Sequence, residues 1–458
     1  MTDDICFLPL AQQSRMIAAG AVSSLDLTRA YLDRIAAMDG ALHSYFTIAA
    51  DRALAAAAVC DAEAARNQRR GPLHGIPIGI KDLIDVAGLP TTAGAAHRRD
   101  RLPPGDAAVI ATLRRAGAVI LGKQATAEYA VGGTQFDLPW PPPQNPWNLD
   151  CDTGSSSGGS AAAVSAGLCA AAVATETAGS IRAPAAWCGV AGLVPTQVLI
   201  SRQGVLPLSP TVDCIGPIGR TAADCALMLT EMIDGAPLDP ARLATPLHGL
   251  RIGIPRHVYE DDPDLDAEVR AAFASALDAL RAEGCHLSDL RLDGYETWAD
   301  TARAITWPEE YAAHGQELRD HPERFGAVTR SRLQDGRRYT AQQHYQALWD
   351  RQAATDNLLS SMRGVDVIVL PTMKVAAQPL GYEHQPGARD LSFTRAFNLV
   401  GTPALTLPNG LTAAGLPMSI QFIGRPLEDA LVLACGIGFE TAIQPPLRPR
   451  VSEWGLTR

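Results

Sequence analysis

The sequence predicts an α/β protein that forms one large domain, in which a mixed central β-sheet is covered by helices on both faces. Strand-like and helix-like segments alternate along the chain, which is typical of βαβ units. No low-complexity linker divides the 458 residues. Hydrophobic residues make up 47% of the chain, which is enough to build a sizeable single core.

The elements of the first third follow from local patterns. Residues 8–37 and 51–66 are amphipathic or alanine-rich, which predicts helices. Within residues 75–94 three isoleucines alternate with small residues, so a strand is predicted there. Residues 107–123 predict a helix that ends at Gly117 and a short buried strand after it.

The middle of the chain, residues 154–189, consists almost wholly of Gly, Ala, Ser, Val and Cys. Small side chains let neighbouring backbones approach closely, so we expect residues 160–174 to form a central buried helix. A turn at 178–180 follows it. The remaining predicted elements are a helix over 265–284, a charged helical region over 296–362, and strands over 365–372, 403–408 and 418–424.

Charge and cysteine content bear on compartment and partners. The formal net charge is −10, so neither nucleic acid nor an anionic membrane is expected as a partner. No secretory signal and no apolar run of about 18 residues is evident, so no membrane span is predicted. The nine cysteines lack C-x-x-C spacing, which favours reduced thiols in a cytoplasmic protein. The histidines show no zinc spacing, so no metal site is expected.

Ser180 is a candidate nucleophile because of its neighbours. Thr177, Ala178 and Gly179 have small or modest side chains, and a tight turn there can aim several backbone N–H groups at one point. An oxyanion hole has this property, and a serine beside it is a candidate nucleophile. The alternative is a loop serine that caps a neighbouring element.

Lys81 is the candidate base. No histidine is singled out by its surroundings, and Ser180 lies outside any G-x-S-x-G elbow. Desolvation after an isoleucine-rich strand would lower the pKa of Lys81 and make its amine a competent base. The alternative is a lysine at a strand end that pairs with Asp82 or Asp85.

Glu176 and Arg182 are the only charged residues between Thr153 and Thr196, and they flank the serine turn. An unpaired buried charge is very costly, so we expect these two to pair and hold the turn. The Gly/Ser run at 154–160 also resembles a phosphate cradle. It lacks the lysine of a Walker loop, so a non-catalytic nucleotide-binding module is disfavoured.

Three separated segments, in order, resemble the amidase signature family. They are G-I-P-I-G-I-K-D at 75–82, G-S-S-S-G-G-S at 154–160 and T-E-T-A-G-S-I-R-A-P-A at 175–185. Later segments at 213–221 and 401–424 also resemble family segments. The chain departs from the family pattern at Glu176, where Asp is usual, and at Ala178, where Gly is usual. It also has L-V-P-T in place of L-K-P-T at 193–196 and G-S-S-S in place of G-G-S-S.

The resemblance implies a Ser-cisSer-Lys triad and the amidase signature fold. Lys81 would be the base, Ser156 the bridging serine across a non-proline cis peptide, and Ser180 the nucleophile. Backbone N–H groups of Thr177, Ala178 and Gly179 would form the oxyanion hole, and Glu176, Arg182 and Ser157 would support the site. The reaction would be acyl transfer without a cofactor.

The same resemblance implies how the chain is divided and what it meets. We expect one amidase domain with an N-terminal helical part (1–66), a signature core (67–225), a more divergent helical part (226–364) and C-terminal strands and helices (365–458). The expected partner is a small-molecule amide, and a homodimer is compatible with the sequence. The pocket residues proposed are Tyr129, Trp140, Trp307 and Tyr311.

Three functions are consistent with these motifs. The first is a stand-alone amidohydrolase that cleaves the C–N bond of a small carboxylic amide and releases an acid and ammonia or an amine. The second, ranked lower because such subunits usually keep D-T-G-G-S and L-K-P-T and both are altered here, is the glutaminase (A-type) subunit of a tRNA-dependent amidotransferase. The third is a hydrolase of an allophanate- or urea-like substrate, because T-A-G-S resembles allophanate hydrolases.

Overall fold

A computed structural model describes residues 5–235, 238–382, 390–443 and 447–451. The strands found within these ranges are β1 (Tyr45–Ile48), β2 (Pro77–Lys81), β3 (Val119–Gln124), β4 (Gln144–Asn145), β5 (Asn148–Asp152), β6 (Ala171–Glu176), β7 (Ala191–Val194), β8 (Cys214–Gly219), β9 (Arg251–Ile254), β10 (His286–Asp289), β11 (Val367–Pro371), β12 (Ala404–Leu411) and β13 (Pro417–Ile423).

One mixed sheet of eleven strands organises the molecule, in the order β1-β3-β2-β6-β8-β7-β12-β13-β11-β9-β10. β2 pairs in parallel with both β3 and β6, whereas β8 joins β6 antiparallel. β4 and β5 form a separate two-stranded sheet. The predicted α/β class with a mixed central sheet in one large domain is therefore confirmed.

Helices flank this sheet. Their bounds are α1 (Leu10–Ala18), α2 (Ser24–Leu42), α3 (Ala50–Ala64), α4 (Ala108–Arg115), α5 (Gly158–Ser165), α6 (Arg182–Trp187), α7 (Ala222–Met232), α8 (Pro240–Leu243), α9 (Arg256–Tyr259), α10 (Ala267–Ala282), α11 (Tyr295–Asp320), α12 (Ala327–Gly336), α13 (Ala341–Ser361), α14 (Arg395–Val400) and α15 (Asp429–Ile443). Short 3₁₀ turns occur at Ala96–Arg98, Glu128–Ala130, Pro322–Arg324 and Met362–Gly364. Across the described ranges, none of the helices has the length and apolar composition for a membrane crossing.

The predicted helix over 160–174 is wrong in its second half. Helix α5 ends at Ser165, and residues 171–176 form strand β6, every residue of which is buried. A strand buried on both faces shows no polar alternation, so its alanines could not be told from those of a buried helix. The predicted helix over 8–37 is likewise divided, because the hydroxyl of Ser23 caps a new helix by accepting from the Asp26 N–H.

The sheet brings two distant segments of the chain to one edge. β2 ends at Lys81 and its parallel neighbour β6 ends at Glu176, with Ile80 opposite Val173 in the register. Carboxyl ends of parallel strands share an edge of the sheet, where sites are commonly built. Helix α5 packs against both strands. A Cβ on Gly159 would lie 2.6 Å from the Ser44 carbonyl oxygen and the Ala125 nitrogen, so only glycine allows this approach.

Candidate active site

Lys81 lies fully buried at the end of β2, among hydroxyl and carbonyl oxygens. Its Nζ is 2.7 Å from Ser156 Oγ, 2.8 Å from Ser157 Oγ and 3.3 Å from the Thr175 carbonyl oxygen. The alternative in which it pairs with Asp82 is excluded, because Asp82 instead forms a buried ion pair with Lys123 at 2.7 Å. Asp85 pairs with Arg101.

The three contacts of Lys81 match the bonding capacity of a neutral amine. The Thr175 carbonyl can only accept, and Ser157 donates its own hydroxyl hydrogen to that carbonyl, so both take an N–H from Lys81. When Lys81 is neutral its lone pair is then left for the hydroxyl of Ser156, whereas the protonated lysine donates to that hydroxyl. Burial lowers the pKa of Lys81 from 10.5 to about 7, against the opposing effect of the Asp213 and Glu176 carboxylates.

Ser156 lies in the loop before helix α5, and Ser180 lies in the turn after strand β6. The peptide between Ser155 and Ser156 is cis, as the family resemblance implies. The Ser157 N–H donates to the Ser180 carbonyl at 3.2 Å, which holds the two loops together. Among the described residues, the Ser180 hydroxyl has no hydrogen-bond partner. The link from Ser156 to Ser180 therefore stays a prediction; such links are often loose in a free enzyme.

The turn before Ser180 presents unused backbone donors. Within the described chain, the N–H groups of Ala178 and Gly179 donate to no protein acceptor. Gly179 has a φ of +129°, and a Cβ there would lie 2.3 Å from Thr394 Oγ1, so this position requires glycine. Ala178 is absent from the residues with positive φ, so alanine fits where the family usually has glycine. These donors could receive an oxyanion at the turn.

The predicted pair of Glu176 and Arg182 forms and is buried. Glu176 Oε1 accepts from Arg182 Nε at 2.8 Å, while its Oε2 accepts the backbone N–H groups of Ile181 and Arg182. The carboxylate therefore ties both ends of the turn together. Arg182 also donates to Gln421, Asn398 and the Thr394 carbonyl, so every edge of the guanidinium is used.

Ser180 lines a cavity of about 490 Å³. Three arginines and three carboxylates line it, of which helices α11 and α12 contribute Arg303, Glu310 and Arg332. The guanidinium carbon of Arg332 lies 3.7 Å from the ring centroid of Trp307, and its Nε donates to Glu310 at 3.0 Å. The two terminal nitrogens of Arg332 have no protein partner among the described residues.

One of the four aromatic residues proposed for the pocket lines this cavity, namely Trp307. Tyr129 is instead buried against His314, with ring centroids 4.4 Å apart. Trp140 stacks on Phe46 at 4.6 Å. The Tyr311 hydroxyl accepts from Arg319. Tyr129, Trp140 and Tyr311 therefore lie outside the cavity, because contacts with other side chains hold them there.

Sequence reasoning missed two charged groups, Arg332 in the cavity of Ser180 and Asp213 against the Thr177 hydroxyl. Arg332 lies in an ordinary charged helix, and Asp213 lies in a loop and accepts from the distant hydroxyl of Thr177. Neither residue therefore had a local signal in the sequence.

One cluster elsewhere in the described chain resembles a metal site. The possible ligand atoms of Cys60, Glu63 and His74 lie within 4.8 Å of one another. Its carboxylate is taken by Arg70 at 2.5 Å, and none of its members lines the cavity.

Comparisons with known proteins find similarity along nearly the whole chain. The amidase family model matches residues 26–433. The A-type subunit of the glutamyl-tRNA(Gln) amidotransferase of Anaeromyxobacter dehalogenans strain 2CP-C is 36% identical, with 96% of this chain and 97% of the relative covered.

Two solved structures are also similar over nearly their whole length. A crystal structure of an amidase has a TM-score of 0.87 and 32% identity, covering 95% of this chain and all of the other. The peptide amidase of Stenotrophomonas maltophilia has a TM-score of 0.84 and 28% identity, covering 97% of this chain and 98% of the other. The protein therefore belongs to the amidase signature family.

Proposed function

We propose that this protein hydrolyses the C–N bond of a small carboxylic amide through an acyl-enzyme on Ser180. The observation that carries the proposal is the environment of Lys81, which is fully buried with its Nζ 2.7 Å from Ser156 Oγ. A buried lysine with a pKa of about 7 is a competent base at neutral pH.

In the acylation step Ser180 Oγ bonds to the amide carbon. Its proton passes to Ser156, whose own hydroxyl proton passes to Lys81. The carbonyl oxygen becomes an oxyanion, which we assign to the N–H groups of Thr177, Ala178 and Gly179. As the C–N bond breaks, Lys81 returns a proton through Ser156, so that ammonia or an amine leaves.

In the deacylation step a water molecule replaces the departed amine. The Lys81–Ser156 relay takes one proton from the water as its oxygen attacks the ester carbon. The second tetrahedral intermediate breaks down, the proton returns to Ser180 Oγ, and the carboxylic acid is released. The relay first acts as an acid toward the leaving amine and then as a base toward the water. By microscopic reversibility both steps take place on the same face of the carbonyl.

Arg332 indicates that the amide carries a carboxylate. Stacking on Trp307 and the bond to Glu310 hold the guanidinium in place, and its two terminal nitrogens have no protein partner in the described chain. This planar pair of donors matches a carboxylate in a bidentate manner. We therefore propose amides such as glutamine, whose carboxylate is separated from the carboxamide.

Two kinetic comparisons test this substrate class. Arg332→Met should raise the KM for a carboxylate-bearing amide about 10- to 100-fold, since a hydrogen bond to a charged group contributes about 1.5–3 kcal/mol. The KM for the same amide with its carboxylate esterified should stay within about twofold. Equal effects on both substrates would show that Arg332 recognises no carboxylate.

Removal of the nucleophile tests the reaction itself. Ser180→Ala should abolish labelling by a fluorophosphonate and lower turnover by several orders of magnitude, about 10⁶ in another serine hydrolase. The variant should unfold at the same denaturant concentration as the wild type. Ser201→Ala is the matched control, since Ser201 is exposed and remote from the cavity. Turnover of Ser180→Ala above about a hundredth of wild type would contradict the assignment.

The names of the relatives favour one of the two more specific functions. The A-type glutaminase subunit of a tRNA-dependent amidotransferase has better support than the stand-alone amidohydrolase, because curated relatives similar over their whole length carry that name. Glutamine also has the carboxylate that Arg332 would recognise. The stand-alone amidase is retained as the second candidate, because the similar solved structures include a peptide amidase.

A further inference from the structure

Asp213 lies on the far side of the turn that precedes Ser180. It lines a second cavity, of about 240 Å³, which shares Ala130, Thr177 and Leu208 with the cavity of Ser180. The Thr177 hydroxyl donates to Asp213 Oδ1 at 2.5 Å. Thr177 itself begins the turn whose Ala178 and Gly179 N–H groups have no acceptor in the described chain, so Asp213 contacts the first residue of that turn.

The same carboxylate organises the loop of residues 208–211. Asp213 accepts the backbone N–H groups of Leu208 at 2.9 Å and Ser209 at 3.0 Å. The Ser209 hydroxyl and the Thr211 N–H in turn donate to Glu309 at 2.6 Å and 3.0 Å. Glu309 lies on helix α11, between two residues that line the substrate cavity. A continuous hydrogen-bonded network therefore joins the turn to the cavity wall.

We propose that Asp213 is a positioning residue for acyl transfer, which fixes the oxyanion turn through the Thr177 hydroxyl and ties it to helix α11 through residues 208–211. The inference rests on the proposed function in that Ser180 is the nucleophile beside this turn. Asp213 touches neither substrate nor the reacting atoms, so its effect is exerted through Thr177.

The charge of Asp213 also affects the base. Its carboxylate opposes the lowering of the Lys81 pKa that burial causes. Other charged groups of the described chain around Asp213 and Lys81 include Glu176, at the end of β6, Glu309, which accepts from Ser209 and Thr211, and Arg202, whose guanidinium donates to the Asp213 carbonyl. Removing the negative charge of Asp213 should therefore lower the pKa of Lys81 further, because the ammonium form loses a favourable interaction.

Variants of Thr177 test the positioning role directly. Thr177→Val should lower kcat and the rate of fluorophosphonate labelling roughly 10- to 100-fold, the loss typical of a displaced catalytic group. The KM should stay within about twofold, because valine has nearly the same shape as threonine at this position of the cavity lining. Thr177→Ser restores the hydroxyl and should recover most of the rate. If the Thr177 hydroxyl were only structural, Thr177→Val would lower the free energy of unfolding without lowering kcat at constant KM.

Asp213→Asn removes the charge and keeps one oxygen that can accept from Thr177, although its NH2 group replaces the oxygen that accepts the Leu208 N–H. Its kcat/KM should be reduced, and the inflection of the pH profile should move below that of wild type; Thr177→Val should leave the inflection in place. Thr28→Val is the matched control, because the buried Thr28 hydroxyl has no hydrogen-bond partner in the described chain.

The proposal is overturned if Thr177→Val keeps kcat within twofold of wild type, if Thr177→Ser fails to restore the rate, or if Asp213→Asn leaves the inflection unmoved. These outcomes differ from failure of the proposed function. If Ser180→Ala were active and still labelled, acyl transfer at Ser180 itself would be wrong. If Ser180→Ala is inactive while Thr177→Val is normal, only the role of Asp213 is wrong.

Discussion

At the scale of single residues, burial decides what Lys81 can do. A lysine in water has a pKa near 10.4 and is almost wholly protonated at neutral pH. Lys81 is fully buried, and burial lowers its pKa to about 7. Near neutral pH about half of the molecules then hold the amine that the proposed relay needs.

The pH profile of the wild type and of Lys81→Arg tests this base. The base acts only when it is neutral, so kcat/KM should rise with pH through about 7 and be lost as pH falls below that value. Lys81→Arg should be as damaging as Lys81→Ala, several orders of magnitude, because arginine stays protonated. A histidine base would instead predict tolerance of the arginine.

The control for this substitution is Lys374→Arg. Lys374 is a partly buried lysine that pairs with Asp262 at 2.9 Å, and it does not line the cavity of Ser180. Its variant should keep the wild-type profile. If Lys81→Arg kept most of its activity, Lys81 would be structural and the proposed triad wrong.

At the scale of elements, the turn after β6 depends on a buried ion pair. Glu176→Ala should destabilise the protein by about 3–5 kcal/mol, because it leaves the buried Arg182 charge without its carboxylate. Denaturant unfolding measures the change. The double variant Glu176→Ala with Arg182→Met should recover part of the loss, since the unpaired charge is then removed.

An exposed ion pair provides the control for that measurement. Asp278 pairs with Arg281 on the surface of α10, with both side chains more than half exposed. Asp278→Ala should change the free energy of unfolding by less than about 1 kcal/mol. An unfolding midpoint of Glu176→Ala equal to that of wild type would show that the pair does not hold the turn.

The small-residue helix α5 predicts opposite effects for two glycine substitutions. Gly159→Ala should destabilise by at least about 1–3 kcal/mol, because its Cβ would lie 2.6 Å from backbone atoms of Ser44 and Ala125. Gly40→Ala, on the exposed face of α2, should stabilise by about 0.5–1 kcal/mol, because nothing lies within 4 Å of its Cβ.

Urea unfolding of the two variants beside the wild type checks both signs. Gly40→Ala is the control for the substitution itself, since both variants add the same methyl group to a helix. If the two changes had the same sign and size, close approach of backbones at α5 would not explain the small residues there.

At the scale of the whole molecule, an A-type subunit and a stand-alone amidase differ in whether the chain needs other components for full activity. If the protein is an A-type subunit, the purified chain should hydrolyse glutamine slowly. Adding the other components of the amidotransferase with glutamyl-tRNA(Gln) should raise ammonia release at least about tenfold. We expect this stimulation, because the curated relatives carry that name.

A mixture with Ser180→Ala in place of the wild type is the control, since any ammonia it forms comes from the other components. Full activity of the chain alone, unchanged by the additions, would instead identify a stand-alone amidase. The assay therefore separates the two candidates whichever way it comes out.

Much of the site could be predicted because its parts lie in short, unusual segments. Lys81, Ser156 and Ser180 fall in motifs that resemble family motifs, and the apolar surroundings of Glu176 and Arg182 indicated their pairing. The pocket could not be predicted in this way. Of its proposed aromatic residues Trp307 lines the cavity, because helix orientation decides which ring faces it.

The sequence by itself determined the α/β class, because strand-like and helix-like patterns are local, and the resemblance to family motifs implied Ser156 beside Lys81. Only the tertiary structure decided that residues 171–176 form a strand, because the hydrogen bonds of β6 go to β2 and β8, which are distant in the chain. It also decided that Arg332 and Asp213 lie beside the turn. Both are ordinary charged residues in the sequence, and only long-range packing places Arg332 in the cavity of Ser180 and Asp213 against Thr177.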